Sequence, residues 1–308
     1  MKITGIKRWM VVVLCALMAG VMVYVPFLRY SYYDQMCVLF TQYKAVVPAE
    51  MVNSFIGDFG MAFGIVSMLG YPFGGIFADR FKEKWLLIAG GVLMGVCSFW
   101  FGMVPGKISI IIIHLLYGVG TSFMIWSAYL KLTRKMGSSQ EQGRMFSASE
   151  FVRGIFGMLI GFAGVALLGK AAMPGGTIDP EMLGQQWRML MFLSGGLFFL
   201  FAILVFFLIP AEVTGAEEAD GEKQVPFSLK NVVLVLKMPG TWLISALIFC
   251  CFSFTSAGNG YLGAYTVNVL GVSETMASTF AIIRNYAFNS SGLVLRGAML
   301  MMISLQAY

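Results

Sequence analysis

The chain of 308 residues is 58% hydrophobic and only 12% charged, with a mean hydropathy of +0.81. A water-soluble domain carries about twice that share of charge, so most of this surface faces lipid. The formal net charge of +6 is dispersed between apolar stretches, which argues against nucleic acid as a partner, and five cysteines with a single histidine show no metal-ligand spacing or disulfide framework.

A helix rises about 1.5 Å per residue, so roughly 20 apolar residues cross a hydrocarbon core about 30 Å thick. The first stretch to satisfy this runs Trp9–Leu28. It is longer than a signal-peptide core and no small-x-small cleavage site follows it, so it reads as a spanning helix. Seven more follow: Phe55–Phe77, Leu86–Val104, Ile108–Tyr129, Phe146–Leu168, Met189–Ile209, Thr241–Thr266 and Met276 to about Leu295. These runs are too long and unalternating for barrel strands, and only helices or closed barrels satisfy the backbone in lipid. The expected fold class is an all-α polytopic membrane protein.

Small residues mark faces for close helix crossing: Gly60 and Gly64 in helix two, and Gly154, Gly157, Gly161 and Gly164 in helix five. With the N-terminus inside, thirteen Lys and Arg fall in cytoplasmic segments, among them Arg8, Lys82, Lys84, Lys131 and Lys135. Five lie outside: Arg29, Lys44, Lys107, Lys170 and Arg188. That excess predicts a cytoplasmic N-terminus.

The longest hydrophilic run, Ala211–Lys230, has mixed charge and reads as a cytoplasmic linker. The expected organisation is a six-helix bundle over residues 1–209, a linker over 210–238 and the start of a second bundle over 239–308. Six helices, a linker and further helices is the layout of a transporter built from repeated halves. On that layout the second half lacks about four helices. The apolar tail after Arg284 has no cytoplasmic terminus, as expected of a truncated or frame-shifted form of a longer protein.

The turn after helix two reads Gly70-Tyr71-Pro72-Phe73-Gly74-Gly75-Ile76-Phe77-Ala78-Asp79-Arg80-Phe81-Lys82-Glu83-Lys84. It resembles the helix two–three loop of the major facilitator superfamily, G-x-L-A-D-R-x-G-R-[KR]. Gly75, Ala78, Asp79, Arg80 and Lys84 match; Phe77 replaces Leu, Lys82 stands where Gly is usual, and Glu83 replaces Arg. Gly75 is expected to admit a neighbouring helix. Asp79 ends a helix, where the dipole disfavours an anion, so it calls for a cationic partner. The resemblance implies that Asp79 latches the second half on the inner side; the alternative is a solvated turn that only fixes topology. Glu141-Gln142-Gly143-Arg144-Met145-Phe146, with Glu150 and Arg153 following, is similar to the helix four–five loop of poorly characterised bacterial members near the organophosphate and hexose-phosphate carriers. The resemblance implies a major-facilitator-type bundle with an incomplete second bundle, and gating roles for Gly75, Asp79, Arg80, Lys84, Arg144, Glu150 and Arg153.

Ionisable residues within spans are costly, so each asks for a reason. Arg29 ends the first span, with Tyr33 and Asp34 one turn on. The resemblance implies an anion-binding arginine there, whose paired donors suit phosphate, sulfonate or carboxylate. The alternative is an arginine reaching the interface, paired with Asp34. The second arginine of the phosphate-ester carriers is absent from helix seven, where Phe254, Thr255 and Ser256 stand. Arg153 has Glu150 three residues earlier on the same face, a spacing that allows pairing. Arg284 has no acidic residue within a turn and is the better cavity-facing cation. Asp58 is expected to open helix two near its positive dipole end, and His114 to be a packing residue. On helix seven, Asn259, Tyr261 and Tyr265 are either substrate ligands or interfacial anchors.

The function implied is a secondary active transporter in a bacterial inner membrane, moving a small polar solute by alternating access. An organic anion is slightly favoured by Arg29, Arg153 and Arg284, and a coupling proton or an exchanged anion is open. No cofactor is expected. The alternative is a non-transporting membrane sensor on the same fold. An enzyme is disfavoured, because the sequence holds no clustered His or Asp ligands, no G-x-S-x-G turn and no phosphate-cradling loop.

Overall fold

The structure is a computed structural model that describes residues 5–138, 140–173, 177–211, 213 and 234–285; within the helix Pro239–Asn268, the side chains of 251–252, 254–261, 264 and 268 are not described. Each element among the described residues is helical. The sole β feature among the described residues is an isolated bridge between Ala172 and Ile178.

Helix α1 (Ile6–Tyr24) tightens into a 3-10 segment, Val25–Tyr30. Pro26 lies just beyond α1 and has no N–H to donate to the turn before it, and the helix tightens at that point. A short helix α2 (Tyr33–Val38), running into a π turn at Leu39–Tyr43, caps this end of the bundle. It was not among the predicted elements, because it is too short for a span. Then come α3 (Val52–Arg80), α4 (Glu83–Gly102), α5 (Lys107–Gly118) joined through a π segment (Val119–Ile125) to α6 (Trp126–Lys135), α7 (Gln142–Leu168) and α8 (Pro180–Leu208). Counting α1 with its 3-10 extension and α5–α6 as single runs, six are long and apolar enough to cross a membrane. α9 (Pro239–Asn268) follows, and a further helix, α10, covers 274–285. The tail beyond Asn285, the far end of predicted helix eight, and most of the predicted linker lie outside the described residues.

The helices outrun the predicted spans because polar end turns are helical without being apolar. α8 starts at Pro180, nine residues before Met189: the Asp179 side chain accepts from the Glu181 and Met182 backbone N–H groups at 3.0 and 3.2 Å, and Pro180 takes the first helical position. α3 starts at Val52, so Asp58 lies in its second turn rather than at its opening, past the reach of the terminal dipole.

The core is aromatic and thioether-rich. Phe101, Trp187, Tyr117 and His114 meet edge to face, with Phe101–Trp187 centroids 5.2 Å apart. The Trp187 indole donates to the Phe101 carbonyl at 3.3 Å, which satisfies its buried N–H. α4 crosses α8 closely at Gly95 and Gly195: a Cβ on Gly95 would stand 3.2 Å from the Gly195 carbonyl, and one on Gly195 would stand 3.1 Å from the Gly95 carbonyl. Apolar residues left exposed, such as Met61, Ile65, Met68, Leu159 and Phe207, form the outer surface that lipid covers.

Three glycine expectations are corrected. Gly75 has nothing among the described residues near the position of a Cβ; Gly70 and Gly74, one turn apart, face Ser122 and Phe123 instead. The reason is angular, since Gly75 is rotated by about 100° from Gly74 around the helix. Gly60 makes no helix crossing: a Cβ there would overlap the Arg29 guanidinium. Gly64 meets none of the described residues at the position of a Cβ. In α7 the expectation fares better, with Gly161 against Ile282 of α10 and Gly164 against Tyr24 and Tyr32.

Candidate functional site

The bundle has two ends, one carrying Lys82 and the other Asp34, and polar residues collect at both.

At the Lys82 end, α3 stops at Arg80 and α4 starts at Glu83. Lys131 of α6 donates to Asp79 Oδ1 and to the Ala78 carbonyl at 3.0 and 2.7 Å, and lies 3.2 Å from Glu83 Oε1. Lys135 reaches the same Glu83 oxygen at 2.9 Å. Asp79 therefore finds its cation within the first bundle. Glu83, the departure from the motif, is the buried member that holds both lysines. The pairing of Glu83 with Lys131 and Lys135 was missed in the sequence because some fifty residues separate the partners. Gly75 and Arg80 are exposed; no carboxylate contacts Arg80 among the described residues. Lys84 donates to the Phe206 carbonyl at 2.7 Å and lies over the Phe206 ring at 5.0 Å, tying α4 to the end of α8.

Arg8 and Glu141 join α1 to the start of α7 by two hydrogen bonds, at 2.7 and 3.0 Å. The Arg8 hydrogen bond, followed by one from the Ser138 backbone, lowers the Glu141 carboxyl to about 2. Arg144 stands over the Trp9 ring at 5.5 Å. Deeper along α7, Glu150 pairs with the buried Arg153 and also accepts from Tyr129 at 2.8 Å, while the Arg153 guanidinium lies over Trp126 at 5.7 Å. Arg153 is thus committed to Glu150.

The Asp34 end holds the more open group. The Arg29 guanidinium lies against Gly60 of α3, donates to the Tyr30 hydroxyl at 2.9 Å and stacks over its ring at 4.8 Å. Among the described residues no carboxylate pairs with it, so the expected alternative of an Arg29–Asp34 pair is not what forms. Tyr33 donates to Asn53 at 2.8 Å. Arg29, Tyr33, Asp34 and Gln35 line a pocket with Gly263 of α9 and with Glu274 and Ser278 of α10. Gln35 donates to Ser278 at 3.4 Å across it. Burial raises the Asp34 carboxyl above its usual range, and burial with the Asp34 charge raises Glu274 to about 7. A sequence signal for Glu274 existed and went unused: it is the single acidic residue after Glu222.

Of the remaining candidates, Arg284 donates to Asn285 at 3.4 Å and keeps a buried Nη2 without a hydrogen-bond partner. Tyr265 is exposed on α9; the side chains of Asn259 and Tyr261 lie outside the described residues. His114 is buried, with Nδ1 2.8 Å from the Ile110 carbonyl and its ring 4.2 Å from Phe59, which fits a packing role. No group of His, Cys, Asp or Glu suited to a metal ion occurs among the described residues.

The chain is similar along most of its length to two proteins of Escherichia coli K12, "Inner membrane protein YqcE" (22% identical over 94% of this chain) and "Inner membrane protein YihN" (24% over 93%). It is 21% identical over 74% of its length to "Uncharacterized protein MG294 homolog" of Mycoplasma pneumoniae. The matches span 64%, 63% and 51% of those three proteins, so this chain covers somewhat under two thirds of the relatives it resembles. The profile described as Major Facilitator Superfamily matches residues 9–305. With six membrane-length helices among the described residues and that family match, this multi-pass membrane protein belongs to the Major Facilitator Superfamily.

Proposed function

We propose that the chain is the first bundle and the opening helices of a secondary active transporter of an inner membrane, which moves a small polar solute by alternating access. Residues 1–209 and 239–308 are the two moving parts in this reading and 210–238 the linker. The N-terminus and the Lys82 end are cytoplasmic, in keeping with the excess of Lys and Arg there. The Asp34 end is then outer. Family membership favours a transporter over an enzyme.

The observation that carries the reading is the arrangement of α9 and α10. Residues 242–250 of α9 are exposed along the Lys82 end, whereas Ala277, Ser278, Ala281 and Ile282 of α10 are buried against the first bundle. Contact at one end only is what a pair of rocking units needs, because the other end must part to release solute.

An organic anion is the favoured solute. Arg29 lines the outer pocket and Arg284 keeps a buried Nη2 unpaired, neither with a carboxylate partner among the described residues. A guanidinium recruits an anion through paired donors once a proton offsets the acids Asp34 and Glu274 beside Arg29. Proteoliposomes loaded with inorganic phosphate and given radiolabelled glycerol 3-phosphate or glucose test both points. Accumulation of the phosphate ester above the level of empty liposomes supports transport of an anion. Glucose taken up equally well sinks the anion preference. Saturable binding of the ester without accumulation replaces the transporter with a sensor.

A further inference from the structure

Asp34 and Glu274 stand on opposite sides of the contact between the first bundle and α10, and both line the pocket that Gln35 and Ser278 bridge at 3.4 Å. Glu274 also lines a second cavity of about 490 Å³, bounded by Ala172, Met173 and Thr177 on one side and Val272 and Thr275 on the other. It is the residue the two cavities share. The larger space gives water a route to its carboxyl, while the smaller one holds that carboxyl near Asp34. Among the described residues, the other charged or titratable groups facing the pair are Arg29, Tyr30, Tyr33 and Cys37, of which Arg29 alone is cationic. With both acids ionised the local charge is one minus in excess. A single proton brings it to balance.

We propose that the contact between the first bundle and α10 is a proton-operated latch, made while Asp34 or Glu274 is protonated and loosened once both are ionised. The contact lies in a region poor in water, where two like charges from two separate units push those units apart. A neutral acid instead presents a hydroxyl donor to the same pocket. The sign follows from the raised groups. Glu274 is held near 7, above the ordinary carboxyl range, so the closed contact favours its neutral form. The contact is therefore tightest below the ordinary carboxyl value near 4.5, and weakens as pH climbs from there through about 7. Asp34, also raised by burial, supplies a charge that Glu274 meets when it ionises. The latch does not depend on the solute being an anion, and its test needs no solute.

Gly169 of the first bundle and Thr275 of α10 report the contact directly, because a Cβ on Gly169 would stand 3.5 Å from Thr275 Cγ2, within disulfide reach. Cysteines placed at both positions, in a chain whose native cysteines are replaced by serine, are oxidised in liposomes between about pH 5.5 and 8.5. Each rate is divided by that of the same pair carrying Asp34→Asn and Glu274→Gln, which cancels the pH dependence of the thiols themselves. The expected ratio falls about tenfold across the range, less than the full shift of Glu274 would give, because that residue is partly exposed. A flat ratio overturns the latch. The cysteine-intact chain supplies a second reading: its thermal midpoint falls from about pH 5.5 to 8.5, and that of the Asp34→Asn/Glu274→Gln chain holds level. Equal falls in both chains also overturn it.

Discussion

Gly74 of α3 faces the backbone of Ser122 so closely that a Cβ on Gly74 would stand 2.5 Å from the Ser122 carbonyl oxygen. The contact is with main chain, so no rotamer change relieves it. The partner lies in the π segment between α5 and α6, a local widening of the helix that brings this carbonyl toward α3.

Gly74→Val is therefore expected to destabilise the bundle by about 1–3 kcal/mol, the usual cost of overpacking a filled interface. Gly75→Ala, one residue on but with none of the described residues at its Cβ position, is expected to change stability by less than about 0.5 kcal/mol. Thermal unfolding of the two variants in detergent compares them. A larger loss at Gly75 than at Gly74 would restore the role first expected for Gly75.

The charges at the Lys82 end predict an asymmetric double substitution. Glu83→Gln strips one carboxylate from two partly buried lysines and is expected to cost about 1–3 kcal/mol. Adding Lys135→Met to that variant removes one of the two positive charges beside the neutralised site and is expected to return part of the loss. If the two substitutions simply add in a thermal-shift assay, Glu83 is not the hub of this group.

Arg29 and Gly60 predict an effect on binding without one on folding. The atoms a Gly60→Ala methyl would meet are the tip of a flexible side chain, so Arg29 moves and the helices stay. Apparent affinity for glycerol 3-phosphate in the uptake assay is expected to fall about tenfold, the loss of roughly one charge-assisted hydrogen bond. The thermal midpoint stays within a degree or two of the parent, as for a surface change. Unchanged affinity would remove Arg29 from the solute site.

The Arg8–Glu141 link predicts a pH response opposite in sign to that of Glu274. Glu141 is held down to about 2, so its contribution is present above the ordinary carboxyl range near 4.5 and is lost as pH falls toward 2. Carboxyl carbon chemical shifts in a chain labelled at Glu141 should titrate with a midpoint near 2, and Arg8→Gln should return it toward 4.5. A midpoint near 4.5 in the parent chain would mean that the two hydrogen bonds do not persist in solution.

Hydropathy located the spanning runs because lipid imposes one requirement, apolar length, that can be counted without knowing what touches what. Boundaries were misjudged where another rule took over, as at Asp179, whose cap starts α8 nine residues before the apolar run. The Arg153–Glu150 pair was legible because three residues on a helix are neighbours in space. The same short-range rule made the motif Asp79 stand out as needing a cation, yet Lys131 as the donor was beyond it.

Sequence alone determined the solvent of this protein, the number and type of its spanning elements within the first bundle, and the family signature in the turn around Asp79. Those are local or compositional properties. Tertiary structure decided which glycine of Gly70, Gly74 and Gly75 meets a neighbour, that Arg29 rests on Gly60 without joining Asp34, and that Glu274 shares a pocket with a residue some 240 positions earlier. Helix rotation and crossing set those relationships, and they depend on every packed side chain in the bundle at once rather than on any window of sequence.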